Sequence, residues 1–353
     1  ECPDENGMRL RDSQCGLFAT GKVLRRFGIP FTYLKNCNLE DECFAEGIDR
    51  FLRVCNVVKA FRNTRVLQIS TRPFDFWSTM CNEGELLEKF GIQISPIPMP
   101  ELTQTMKDVK ENSPEEIKEV TDYCRANMCV KVTPEQLDNV AALKIAMTRL
   151  GKKYGCNCGA IQCWNALQDE IGIMPCAANA LCNDEGFPIA CETDIHGTIA
   201  SVLVEAAAMG ETRSFFADWT VRHPYNDNAE LLQHCGPWPI SIAKEKPTID
   251  TPVAFDCSGS LMAQAKDGEH ISLVRFDGDN GEYSLLLGNA KTVDGPYTKG
   301  TYMWVEVENL DRLEDKLVQG PYIHHCVGVH EDVVPVLYEA CKYIGVTPDL
   351  YDP

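Results

Sequence analysis

The period of the apolar residues changes near residue 210, and that change narrows the architectures open to the chain. Upstream, helical spacing alternates with short apolar runs. Residues 12–27 carry helical apolar spacing and end at Gly28, followed by an extended stretch at 29–34. Asp41 can cap an amphipathic segment running to about Arg62, and residues 65–70 read as a short buried strand. Residues 75–90 predict a further helix closed by Gly91, with 92–95 extended. Thr133, Pro134 and Gln136 combine a threonine cap, a proline in the first turn and a glutamine at the capping-box position, so a helix starts there and runs to about Gly151. Residues 159–163 are extended, 165–171 form a short helix, a loop follows, and 187–191 are apolar again. Such alternation predicts a parallel sheet with helices on its faces, a Rossmann-like α/β domain.

Downstream, residues 270–276, 282–288 and 302–308 are β-rich and separated by turn residues such as those at 277–281. They predict an antiparallel sheet or small barrel. A last helix at 331–344 is closed by Gly345 and Pro348. The expected fold class is α/β: a parallel-sheet domain, then a β-rich, barrel-like C-terminal domain, with a boundary at 209/210. A length of 353 residues, at roughly 150 per domain, agrees with about two domains.

Charge and cysteine usage limit the partners. Lys and Arg number 33 against 52 Asp and Glu, a formal charge of −19 that repels a phosphate backbone and argues against nucleic acid. The richest apolar run, 198–210, is interrupted by Glu205 and falls short of the ~18 residues of a membrane span. The 18 cysteines are scattered through apolar runs and no Asn-x-Ser/Thr sequon occurs, which points to free thiols in a reducing cytoplasm. Cys156, Cys158 and Cys163 lack the second ligand pair of a zinc site and read as buried thiols. The acidic stretch 108–122 reads as a solvated helical face.

Polar residues that could do chemistry follow apolar elements. Glu192, Asp194 and His196 come directly after the apolar run at 187–191, where a parallel strand would end and a helix begin. Asp218 follows Phe215, Phe216 and Ala217, and His324 and His325 lie inside the apolar segment 322–329. Two carboxylates and a histidine from separate segments can hold a hard divalent cation with positions left open for substrate. Glu192 or Asp194 could equally serve as a helix cap. Adjacent histidines on a strand point to opposite faces, so at most one of the pair is expected to face a given site.

Five strings, CWNALQDEIGIMPC (163–176), FPIACETDIHG (187–197), FFADW (215–219), HCG (234–236) and GPYIHH (320–325), arrive in one order that resembles the L-fucose isomerase family, related in fold to L-arabinose isomerase. The resemblance covers nearly the whole chain. It implies metal ligands at Glu192, Asp218 and His325, the last chosen over His324 because the family ligand is second in the pair. It further implies Mn2+ or a similar ion such as Mg2+ or Co2+, and interconversion of an aldose and a ketose through an enediolate, with Glu192 and Asp218 sharing the proton shuttle. Trp219, Asn228 and His234 are further candidates for contacts to a small sugar substrate. On the family's three-domain plan, residues 1–36 are a remnant of an N-terminal α/β domain, 37–209 the central domain with Glu192, and 210–353 the C-terminal domain with Asp218 and His325. Roughly a hundred residues of the first domain are then lacking, and a homo-oligomer, trimer or hexamer, is expected. Two other readings stay open: a non-catalytic sugar-binding or regulatory protein keeping the fold, and a related metal-dependent enzyme whose sugar is phosphorylated or otherwise anionic.

Overall fold

In the computed structural model, which describes residues 3–9, 13–252 and 256–351, the chain divides into two units, Glu1–Leu52 and Arg53–Pro353. The first unit contains α1 (Ser13–Arg26) and most of the first half of α2 (Glu42–Arg62). The expected helix start at residue 12 lies outside the described residues. The stretch 29–34, expected extended, is irregular and forms no strand. Both sheets are built from residues of the second unit, and an apolar run becomes a strand only where a ladder exists to receive it.

A four-stranded parallel sheet organises the second unit. It is built from β1 (Arg65–Ile69), β2 (Gln93–Ile97), β4 (Cys158–Ile161) and β5 (Ile189–Ala190) in the order β2-β1-β4-β5. A two-residue β3 (Cys129–Val130) belongs elsewhere. Side chains alternate across the strands. On one face Leu67, Ile69 and Ile161 pack against α4 (Met99–Asn112), α5 (Pro114–Asn127), α6 (Pro134–Tyr154) and α8 (Cys176–Asp184). On the other, Val66, Cys158 and Ala160 join α2, α3 (Glu83–Phe90) and α9 (Ile195–Ala207).

Local signals set several of these elements. The capping box at Thr133 is present in full, with Gln136 N–H donating to the Thr133 hydroxyl at 3.2 Å and the Gln136 side chain accepting from Thr133 N–H at 3.0 Å. Residues 75–90 are not one helix. A 3-10 turn at Trp77–Thr79 is followed by Asn82, which caps α3 by accepting from Glu85 N–H. The acidic stretch is two helices, since Pro114 cannot continue α4, and its carboxylates are exposed while Val109 and Ile117 are buried. The segment read as a loop after α7 (Ala166–Ile171) contains α8. Nearly every residue of α8 is buried, so it lacks the polar face that announces a helix.

The remaining strands form one large sheet: β6 (Phe215–His223), β7 (Asn226–His234), β8 (Thr248–Asp250), β9 (Ser260–Gln264), β10 (Ile271–Asp279), β11 (Glu282–Val293), β12 (Thr301–Glu306), β13 (His325–Val329) and β14 (Thr347–Leu350). With β3 they run β14-β11-β10-β13-β6-β7-β12-β9-β8-β3, and a pairing of β11 with β12 closes six of them into an antiparallel barrel. Phe215, Ala217, Leu232, Leu273, Met303 and Cys326 fill its interior. α10 (Leu310–Gln319) follows β12, and α11 (Val334–Ile344), which starts three residues later than its sequence suggests, leads into β14, an edge strand parallel to β11. The expected α/β class with a barrel-like second part is therefore what the chain forms.

α9 joins the two sheets. It is buried along almost its whole length, as its predominantly apolar sequence requires. The outer barrel face presents Phe216, Val274, Phe276, Val327 and Val329 to the same core cluster as α9. Close approach depends on Gly197, where a Cβ would lie 2.5 Å from Phe216 Cε2. Among the described residues no helix is long and apolar enough to cross a membrane.

Candidate metal and proton-transfer site

The turn that ends β5 carries the first carboxylate in an unusual backbone. Glu192 and Thr193 both have positive φ, 57° and 55°, a conformation that costs non-glycine residues energy. Neighbouring segments hold it. Glu192 N–H donates to Cys163 Sγ at 3.3 Å, and Thr193 N–H to the Ile161 carbonyl at 3.0 Å. The Thr193 hydroxyl donates to the Thr71 carbonyl at 3.2 Å, and the Thr79 hydroxyl to the Glu192 carbonyl at 3.4 Å. Segments following β1 and β4 thus brace the residue following β5, all at the carboxyl edge of the parallel sheet, where such sheets place ligands.

The second carboxylate and the histidine come from the barrel. Antiparallel register sets His325 of β13 directly opposite Asp218 of β6. Phe216, on the same face as Asp218, packs its ring 4.8 Å from that of His325 and 5.3 Å from that of His234. His325 Nε2 lies 3.0 Å from Glu192 Oε2 and 3.6 Å from Asp218 Oδ1. His234 Nε2 lies 3.8 Å from the same Glu192 oxygen and 3.9 Å from Asp218 Oδ1. The structure therefore brings Glu192, Asp218, His325 and His234 together.

Hydrogen bonds assign different jobs to the two histidines. His325 Nδ1 is 2.8 Å from Asp194 Oδ2; a carboxylate can only accept, so Nδ1 carries a proton and Nε2 is the nitrogen turned inward, a lone pair whenever the ring is neutral. His234 is the reverse: Cys235 N–H donates to Nδ1 at 2.9 Å, which leaves Nε2 as the protonated nitrogen facing the carboxylates. His325 Nε2 could therefore serve as a ligand, and His234 Nε2 as a donor.

Asp194 is both the helix cap that its position suggests and the group that orients His325. Its Oδ1 accepts from Gly197 N–H at 2.9 Å, and it forms a buried ion pair with Arg275. Arg275 also donates to Asp277 at 2.9 Å, whose other oxygen lies 3.0 Å from His196 Nδ1. Burial disfavours charge on Asp194, yet the Arg275 guanidinium and His325 hold its carboxyl well below the usual range. Burial likewise opposes charge on Glu192, and the imidazoles of His234 and His325 beside it outweigh that, so that Glu192 stays ionised far into acid. For His325, burial is overcome by the carboxylates of Asp194 and Glu192, pushing it up to about 9, so a cation at Nε2 would have to displace a proton. His234 is raised well above its ordinary value, burial being outweighed chiefly by Asp218.

Four buried atoms of this cluster, Glu192 Oε2, Asp218 Oδ1, His234 Nε2 and His325 Nε2, make no hydrogen bond among the described residues. Orphaned polar atoms are costly when scattered, and here they converge on one point. Two carboxylate oxygens and an imidazole nitrogen suit a divalent cation, which would balance the charge of the carboxylates. The residues present fit such an ion.

The other sequence candidates fall differently. Trp219 turns into the barrel core with Phe215 and Ala217, on the opposite face from Asp218. Asn228 sits six residues from His234 along β7 and accepts from Leu310 N–H at 3.4 Å, so it secures the β12–α10 connection away from the cluster. His324 departs from the alternation argument. It lies in a bend just before β13, where strand alternation does not yet apply, and one of its ring nitrogens lies within 4.8 Å of an Asp218 carboxylate oxygen and a His325 nitrogen. Sequence reasoning passed over Trp164, whose Nε1–H donates to Glu192 Oε1 at 3.0 Å and so leaves Oε2 to face the histidines. Arg275 was also passed over, although a charged residue inside the apolar segment 271–276 is itself a signal of a buried partner.

Beside the Glu192 turn opens a cleft of about 260 Å³ lined by Gln68, Thr71, Arg72, Thr79, Glu83 and Thr193, among others. Arg72 donates to the carbonyls of Pro73 and Phe74 and stacks 5.0 Å from the Trp77 ring centre.

Residues 1–62 match the family profile described as Fucose/sulfoquinovose isomerase, N-terminal domain. Over 353 aligned residues the chain is 25% identical to a sulfoquinovose isomerase of Priestia aryabhattai, the match covering 98% of this chain and 77% of that protein. It is 23% identical over 342 residues to a sulfoquinovose isomerase of Alkalicoccus urumqiensis, covering 96% and 76%. With that of Clostridium sp. (strain MSTE9) it shares 24% over 358 residues, covering 99% and 79%.

Proposed function

We propose that this chain, similar over nearly its whole length to fucose isomerase-like proteins, is a sugar isomerase that interconverts an aldose and a ketose with the help of a divalent cation. The observation that carries the reading is the convergence of the orphaned atoms of Glu192, Asp218 and His325, with His234 Nε2 beside them. Glu192, Asp218 and His325 would hold the ion, Mn2+ by preference. When bound, it supplies Lewis-acid stabilisation to negative charge developing on the two sugar oxygens.

The chain's own groups handle the protons. Moving a carbonyl from C1 to C2 takes a proton from C2 and returns it to C1, while the hydroxyl proton moves from O2 to O1. Glu192 and Asp218, each within 4 Å of His325 Nε2, are the carboxylates for the carbon-bound proton. Trp164 ties down one oxygen of Glu192 and fixes the direction of the other. The Nε2–H of His234 donates toward the sugar oxygens, and Asp194 keeps His325 in the tautomer that leaves Nε2 open.

The relatives are named for sulfoquinovose, a sulfonated sugar by its name, which favours an anionic aldose as the first substrate to try. Arg72, which spends its guanidinium on carbonyls and a ring instead of a carboxylate, lines the cleft beside Glu192 and would receive the anionic group. The test is conversion of sulfoquinovose and of neutral aldoses by EDTA-treated full chain with Mn2+ restored. Ketose formation abolished in Glu192→Gln is expected. A chain that binds Mn2+ and sugar yet turns over no aldose would instead be a binding protein on an isomerase scaffold.

A further inference from the structure

The segment ahead of α2 closes on itself within the first unit. Asp41 N–H donates to the Asn38 carbonyl at 3.2 Å, while the Asp41 carboxylate accepts from the Asn38 backbone N–H at 2.7 Å. At the neck of the loop Leu34 lies against Gly47 so closely that a Cβ there would sit 2.1 Å from Leu34 Cδ2. The turn carries the chain back upon itself, and Cys37 returns beside Cys43 in the first turn of α2. One donor atom from each of Cys37, Asp41 and Cys43 lies within 4.8 Å of the others.

Their chemistry matches one class of ligand. Two thiols and a carboxylate spaced C-x3-D-x-C supply three donors to a four-coordinate, borderline-soft cation, and sulfur donors select against Mg2+ and Ca2+.

We propose that Cys37, Asp41 and Cys43 bind a zinc-type divalent cation, with solvent in the fourth position. The site shares no residue with the Glu192 cluster, and its truth does not depend on how that cluster is read.

Cobalt(II) separates the two sites, because thiolate coordination gives an intense near-ultraviolet charge-transfer band that a carboxylate–imidazole site lacks. Reduced, metal-stripped full chain titrated with Co2+ should develop this band, lose it on addition of a single equivalent of Zn2+, and keep it in Glu192→Gln. The double variant Cys37→Ser/Cys43→Ser should lose it while retaining the parent's far-ultraviolet circular dichroism. Absence of the band in the parent chain overturns the proposal, as does its persistence in the double variant. So does a Cys37–Cys43 disulfide in protein purified under reductant, seen as a mass two hydrogens short.

Discussion

His325 and Asp194, 131 residues apart in sequence, meet through Nδ1 and Oδ2 at 2.8 Å, and that contact decides which nitrogen of His325 faces Glu192 and Asp218. Asp194 is held in place from two other sides, by the Gly197 amide and the Arg275 guanidinium. Replacing it with asparagine keeps the size and the cap but removes the charge that fixes the imidazole proton. Mn2+ affinity of Asp194→Asn should fall roughly 10–100-fold, the usual effect of losing the partner that orients a ligating histidine. Calorimetric titration with Mn2+ checks this, and unchanged affinity would mean that His325 is oriented by its packing on Phe216 alone.

Trp164→Phe keeps an aromatic ring against Phe76 and deletes the indole donor to Glu192 Oε1. A charge-assisted hydrogen bond of this kind contributes about 1.5–3 kcal/mol. If it serves to aim the carboxylate, kcat should drop by about tenfold or more with KM little altered. A loss confined to KM would assign Trp164 to substrate binding.

Gly197→Ala tests the seam between α9 and the barrel. The added methyl meets Phe216 at 2.5 Å and the Asp194 carboxylate at 2.8 Å, so helix or strand must give way. Overpacking of this kind costs about 1–3 kcal/mol, readable as a lowered urea midpoint. Adding Phe216→Leu should recover part of the loss; if the double variant is no better than the single, the strain lies with Asp194.

Glu230 on β7 makes stability depend on pH. Burial, with Glu314 adding negative charge, pushes its carboxyl up to about 7 from an ordinary 4.5. A folded-state value above the unfolded one means the native chain binds this proton more tightly. Its contribution is therefore full below about pH 4.5 and is lost as pH rises through about 7. Glu230→Gln should match the parent near the acid end of that window and exceed it by about 3 kcal/mol above it. Urea unfolding across the window would show the two curves diverging as pH rises; parallel curves would remove Glu230 as the cause.

Features set by neighbours in sequence were legible. The capping box at Thr133 needs only residues three apart, and Gly91 and Gly345 end their helices with positive φ as their positions suggest. Features set by burial on all sides were not. α8 shows no amphipathic period because it has no exposed face, and β14 is an edge strand created by a neighbour, β11, distant in sequence. The alternation argument misplaced His324 because residue type does not tell where a strand begins. Trp219 and Asn228 carried suitable chemistry, but one faces the barrel core and the other lies six positions along β7 from His234.

By itself the sequence determined the change from helix–strand alternation to β-hairpins, and with it a parallel sheet followed by a barrel; its motifs also named Glu192, Asp218 and His325. Only the tertiary structure decided that His325 meets Asp194 through Nδ1 while His234 accepts from the Cys235 amide at Nδ1, and that Trp164 restrains one Glu192 oxygen. The physical reason is that a tautomer and a side-chain direction are fixed by through-space hydrogen bonds. Those partners reach each other only after α9 has been packed between the sheet and the barrel.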